Sequence, residues 1–308
     1  MEVLKSYAKG ISEAAKQPKM MVVLWAINFI FGAVIYFLCY TLFSHAWGRS
    51  IVADDLINKF DANSFFELIA HYGEHLKMIF LVTLLLIMGY FIFSLFIHGG
   101  IIFTLLEDKN KNNNLGGGGT FASTFFYGAG KFFGRFFRLL IYSLILWGIF
   151  IVLNILFNLI GNVLTVNGTR EEIVIYLFWI RVVITLFLVY LIRMILDYAR
   201  IEIVVRDSHG VFQPFLKMIK FVFQKIGKTL ALYYLLLLTG AVLFVLGWVV
   251  NSRNTGTTAL SIVMIFLISQ IFLALRMWLK IAFQAGQIEL HALEHPRNEY
   301  PLPKATWH

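Results

Sequence analysis

The chain has 308 residues, of which 59% are hydrophobic and only 14% charged, and its mean hydropathy is +0.78. A soluble domain carries roughly a quarter charged residues, so a water-soluble globule is excluded; the 31 Phe, 13 Tyr and 7 Trp suit lipid-facing helices and interfacial belts. The formal charge of +9 invites a nucleic-acid reading, but the cations stand beside long apolar runs, where they orient loops and hold anionic headgroups, and no nucleic-acid partner is expected.

The chain opens with Lys5, Lys9 and Lys16 set against Leu4, Tyr7, Ala8, Ile11 and Ala15 at helical spacing. That pattern is an amphipathic helix in the headgroup plane. The apolar run from about Met20 to Phe43 follows, with Ser44-His45-Ala46 imitating a cleavage site. It exceeds the ~7–15 apolar residues of a secretory signal, so it is read as a retained span. The single cysteine, Cys39, lies inside it, and no intrachain disulfide is possible.

The segment from about Trp47 to Lys77 mixes Asp54, Asp55, Asp61, Glu67 and Glu74 with apolar residues and is expected to form short capping helices. Within it, His71-Tyr72-Gly73-Glu74-His75 has the inverted zinc-protease order, with both histidines on one helical face. Gly73 weakens such a helix by about 1 kcal/mol relative to Ala, and no convincing downstream Glu supplies a third ligand. His71 and His75 are therefore a weak metal pair at most, and no cofactor is expected.

Runs of 18 or more largely apolar residues lie near 20–45, 78–106, 139–165, 173–199, 229–250 and 259–288. The expected fold is all-α: a polytopic membrane protein with six transmembrane helices. Several runs exceed the ~20 residues that cross ~30 Å of hydrocarbon, so helices two, four and six should tilt or protrude. Asn110 to Gly119 is a low-complexity link; its glycines lack the Lys-Ser/Thr of a phosphate loop. Lys131, Arg135 and Arg138 lead into the third span beside Phe132, Phe133, Phe136 and Phe137, and Lys217, Lys220 and Lys228 lead into the fifth among Phe215, Met218 and Phe221. These segments, with Lys109, Lys111, Arg200, Arg206, Arg297 and Lys304, fall on one side, against Arg49, Lys59, Lys77, Arg170 and Arg253 on the other. The positive-inside rule then places both termini in the cytoplasm.

The even-numbered spans end alike. Gly100, Ala199 and Gly286 are each followed by an Ile two residues on and an acid eight on, namely Asp108, Asp207 and Glu294. A basic helix plus a membrane hairpin would thus recur every 90–100 residues or so, as 1–109, 120–208 and 211–296 of a single membrane domain, 1–308. The expected arrangement is three hairpins of the same topology around a pseudo-threefold axis.

These features, and the string Leu196-Asp197-Tyr198-Ala199-Arg200-Ile201, resemble a bacterial six-span inner-membrane family of unknown function, similar to the membrane region fused ahead of some glycerophosphodiester phosphodiesterases. The resemblance covers most of the chain and implies a fold and a bacterial inner-membrane location, not chemistry, and no catalytic barrel is expected after Gly286.

Ionisable residues inside spans are expensive and are functional candidates by default. In the repeat frame, Arg193 and Asp197 match Ser94 and His98, and Lys280 and Gln284. Around a common axis these pairs would form a polar collar, in which Arg193, Lys280 and Arg276 suit a lipid phosphate or another anion. Alternatively, Arg193 and Asp197 satisfy each other as an i,i+4 pair and Lys280 snorkels to the interface. Arg181, deep in the fourth span, needs a partner such as Asn154, Asn158 or Asn162. The sequence therefore points to a non-enzymatic membrane protein that binds or moves a lipid or small anionic solute, with membrane lipids as partners. The competing reading is a scaffold or accessory subunit with a membrane-protein partner; an enzyme acting on lipid headgroups comes third.

Overall fold

The computed structural model describes residues 1–47, 62–112, 119–165, 171–252 and 258–294. Among them the chain forms eight helices and no strand: α1 (Glu2–Ala15), α2 (Pro18–Trp47), α3 (Ala62–Asn112), α4 (Phe121–Thr165), α5 (Glu171–Arg206), α6 (Phe212–Gln224), α7 (Ile226–Ser252) and α8 (Ala259–Glu294). Six of them, all but α1 and α6, are long and apolar enough to cross a membrane, as the hydropathy runs require. A helix satisfies its own backbone polar groups, which is what hydrocarbon demands. Large apolar side chains such as Phe80, Trp179 and Phe244 are accordingly exposed.

The helix boundaries follow local chemistry. α1 stops before Gln17 because the residue ahead of a proline is driven out of the α region, and Pro18 then suits the first turn of α2. α6 ends where Lys225 leaves helical geometry (φ −117°, ψ 28°), and α7 begins at Ile226. The segment around Lys131 has no such break. The sequence favours a separate in-plane helix there, but with no proline between Phe121 and Thr165 the lead-in and the third span run on as one helix of 45 residues, about 68 Å at 1.5 Å per residue. It therefore overruns the ~30 Å hydrocarbon layer. Similarly, the acidic segment before the second span is, from Ala62 onward, the start of α3 rather than separate capping helices; residues 48–61 lie outside the described residues.

The chain forms two compact units, Met20–Ser94 and Met1–Lys19 with Leu95–His308. Within the first, the Tyr90 hydroxyl donates to Asn28 Oδ1 at 2.8 Å, and Phe31 meets the Tyr90 ring edge-on at 5.1 Å. Within the second, α1 packs on α7 and α8, α5 on α4, α6 and α8, and α7 on α8. α1 buries Ser6, Gly10 and Ala14, and Tyr7 hydrogen-bonds Thr239 of α7 at 2.8 Å. Gly10 passes so close to α8 that a Cβ there would sit 2.8 Å from Gly286 Cα; small residues permit such backbone approach. Gly100 abuts the Phe125 ring, and Ala199 is fully buried.

Candidate anion and lipid site

Arg193 and Asp197 stand one turn apart on α5, and Arg276, Lys280 and Gln284 follow one another on α8. Arg193 and Arg276 are exposed, Asp197 and Lys280 half-buried, and Gln284 buried. The i,i+4 pair expected between Arg193 and Asp197 does not form. Instead Arg200 donates to Asp197 Oδ1 at 2.9 Å, and Gln287 Nε2 of α8 approaches the other oxygen at 3.5 Å. The reason is side-chain direction: Arg200 lies on the packed side of α5 and Arg193 projects outward, making no ion pair among the described residues. Lys280 lies within electrostatic reach of Arg193, Arg200, Asp197 and Arg276. α5 and α8 thus meet at Asp197, whose carboxylate Arg200 already engages and Gln287 approaches. Gln284 Oε1 is buried without a hydrogen-bond partner among the described residues. His98, the counterpart on α3, is half-buried; Ser94, its neighbour one turn back, falls in the other compact unit.

Beyond this level, acids at the ends of α5 and α8 meet basic residues of α1, α3, α4, α6 and α7. Lys131 and Arg135 each donate to Asp207 at 2.7 Å, and Arg135 lies 5.0 Å over the Phe132 ring. Lys217 pairs with Glu202 at 3.2 Å, while Lys225 and Lys228 pair with Glu294. Lys9 and Lys109 converge on Glu289 at 2.7 and 2.9 Å. Glu202 also holds Arg206 and lies 3.1 Å from His291 Nε2, with both side chains only 1% exposed. Of the interfacial cations expected to face headgroups, Arg138 and Lys220 are exposed, whereas Lys131, Arg135, Lys217 and Lys228 turn toward carboxylates. Sequence reasoning missed Glu202 as the partner of Lys217 and His291, and Glu289 as the partner of Lys9 and Lys109. Its available signal was an acid embedded in an apolar string, Ile201-Glu202-Ile203 and Ile288-Glu289-Leu290, where an unpaired carboxylate would be too costly to keep.

Asp207 terminates α5 in the left-handed region, at φ 49°, a conformation Asp tolerates better than most side chains. Partial burial pushes its carboxyl pKa up, but the hydrogen bonds and charges of Lys131 and Arg135 outweigh burial and hold it below the ordinary value. A depressed folded-state pKa contributes stability that is present above the unfolded value, ~3.9 for Asp, and is lost as pH falls through the folded one. The stability difference between the parent and Asp207→Asn should therefore be constant from pH 8 to 6 and shrink toward zero below about pH 4. A difference independent of pH in detergent unfolding would show that these cations do not act on the carboxylate.

Deeper in the spans, Arg181 donates to Asn158, and Thr185 donates to Asn154 at 2.9 Å. The asparagine ladder of α4 thus takes the polar groups of α5, as its four-residue spacing requires; the Asn162 side chain lies outside the described ones. So do those of His71 and His75. Among the described residues no cluster of three or more His, Cys, Asp or Glu could hold a metal. The chain matches no family model, no curated protein and no solved structure.

Proposed function

We propose that this multi-pass membrane protein binds or moves a lipid or small anionic solute between its helical hairpins, at the level of Arg193, Arg276 and Lys280. The observation that carries this reading is the charge imbalance around Lys280: three other cations, Arg193, Arg200 and Arg276, lie within its electrostatic reach against one carboxylate, Asp197, whose Oδ1 is taken by Arg200. Unbalanced cations at membrane depth are costly unless an anion visits them, and a phosphate accepts charge-assisted hydrogen bonds from several at once. On this reading both termini face the cytoplasm, as the cation bias of the sequence favours, and the membrane is the bacterial inner membrane that the resemblance implies, so the anion would be met at the inner leaflet.

The same reading takes the chain as three related units. Its support is a register of contacts. The acid eight residues beyond the small residue accepts from the basic segment of its own unit: Asp108 from Gln17, Asp207 from Lys131 and Arg135, Glu294 from Lys225 and Lys228. The residue three beyond it meets the next segment around: Phe103 meets Tyr127 and Phe132, Glu202 meets Lys217, and Glu289 meets Lys9. Such a cycle suits hairpins of one topology closing on themselves.

Native mass spectrometry of gently solubilised protein tests the anion reading. The triple variant Arg193→Gln/Arg276→Gln/Lys280→Gln should lose at least tenfold of its retained phosphatidylglycerol while its thermal unfolding stays close to that of the parent. Unchanged retention would refute the site. The scaffold reading would then stand, favoured by the close approach of α1 to α8 at Gly10 and Gly286.

A further inference from the structure

A second site lies away from the α5–α8 cations and does not depend on them. The link between α1 and α2 meets the last turns of α3 and the first turn of α4 around a pocket of about 260 Å³. Thr104 of α3 and Thr124 of α4 line it. Each is 2% exposed, and each hydroxyl has no hydrogen-bond partner among the described residues. A buried hydroxyl without a partner is disfavoured, and here two of them border one cavity.

The remaining walls are charged. Lys16 and Lys19 line the pocket; Lys16 also reaches Glu13 at 2.8 Å, whereas Lys19 makes no ion pair among the described residues. Asp108 lines it too, with Oδ2 accepting from Gln17 Nε2. Two long helices begin at its edge, α2 at Pro18 and α4 at Phe121, and each brings the positive end of its dipole there, although in α4 the Ser123 and Thr124 N–H groups already donate to Thr120. The pocket therefore offers cations, free hydroxyls and helix starts to an anion, beside one carboxylate suited to a cation. Its volume is below the ~300–1,000 Å³ of ordinary ligand pockets, so it accommodates a headgroup and leaves acyl chains outside. It also lies at the starts of α2 and α4 and near the end of α3, well before the apolar run of α4 that begins near residue 139.

We propose that this pocket binds a phosphate ester bearing a primary ammonium, as in a phosphatidylethanolamine headgroup. The phosphate sits among Lys16, Lys19 and the hydroxyls of Thr104 and Thr124, and the ammonium donates to Asp108.

The test is native mass spectrometry of the full chain in detergent, titrated separately with phosphatidylethanolamine, phosphatidylcholine and phosphatidylglycerol. The parent should retain phosphatidylethanolamine several-fold better than phosphatidylcholine, whose quaternary ammonium has no N–H to give Asp108. Lys16→Gln/Lys19→Gln should lower that retention about tenfold and Thr104→Val several-fold. Asp108→Asn should erase the preference over phosphatidylcholine and leave phosphatidylglycerol unaffected. Arg193→Gln/Arg276→Gln/Lys280→Gln should leave the preference intact, which separates this site from the other. Calorimetry with soluble phosphoethanolamine and inorganic phosphate distinguishes the source: binding of the free ester without the lipid keeps the chemistry and reassigns its carrier. Thermal unfolding monitors each variant, and Thr104→Val, which preserves side-chain shape, serves if the lysine variant does not fold. Equal retention of phosphatidylethanolamine by the parent and by the folded lysine or Thr104→Val variants, or no preference over phosphatidylcholine in the parent, overturns the proposal.

Discussion

Glu202→Leu is expected to lower the unfolding free energy by about 3 kcal/mol, the cost of removing one partner from a buried charged pair. Glu202 gathers Arg206, Lys217 and His291 from two helices besides its own. Arg206 and Lys217 are more than a third exposed, so water takes over much of their solvation when the carboxylate goes. His291 is 1% exposed and cannot turn to water, so the loss concentrates on the α5–α8 contact. His291→Leu in the Glu202→Leu background should recover part of the loss, because an apolar pair of similar volume replaces a buried polar one at little net cost. The recovery is the diagnostic result: SDS-titration unfolding that places the double variant below both single ones would mean that the pair does not act as a unit. Glu202→Gln, which keeps the volume and an acceptor oxygen, should fall between the parent and Glu202→Leu.

The spans were legible in the sequence because hydropathy is a sum over about 20 residues and tolerates local error. The Arg181 partner was legible too: an arginine that far inside a span needs a nearby acceptor, and the four-residue recurrence of Asn154 and Asn158 places both on one face of α4. Asp197 was harder. Its i+3 and i−4 neighbours are both arginines, and spacing alone ranks Arg193 and Arg200 nearly equally; only the direction in which α5 packs decides for Arg200. The helix through Lys131 was misjudged because a basic, aromatic segment has the composition of an in-plane helix whether or not a break follows it, and the missing proline was the relevant signal. The acids at Glu202 and Glu289 went unassigned because their partners, Lys217 and Lys9, lie on other helices whose docking spacing alone does not give; α1 in particular reaches α8 through backbone contact at Gly10, a residue without a side chain to signal it.

That contact sets the last expectation. Gly10→Val should destabilise the protein by about 3 kcal/mol, at the upper end for forcing atoms into a packed interface, whereas Gly286→Ala, on the opposite surface of the same contact, should be close to neutral. A Cβ at Gly10 would lie 2.8 Å from Gly286 Cα and N and 2.9 Å from the Ala282 carbonyl oxygen. All three are backbone atoms of α8 and cannot rotate aside, so α1 must move away as a body. A Cβ at Gly286 points elsewhere, and its nearest neighbour is the Ser6 carbonyl oxygen at 3.5 Å, an ordinary van der Waals distance; the ~1 kcal/mol helix preference of Ala over Gly offsets any small adjustment. Displacing α1 also pulls Lys9 from Glu289 and leaves Lys109 as the remaining ion-pair partner of that carboxylate among the described residues. Gly10→Val should therefore be partly rescued by Glu289→Gln, which removes the charge left behind, while Gly286→Ala combined with Glu289→Gln should show no such coupling. Equal tolerance of Gly10→Val and Gly286→Ala would mean that α1 is held by its ion pairs and not by the close approach of its backbone to α8.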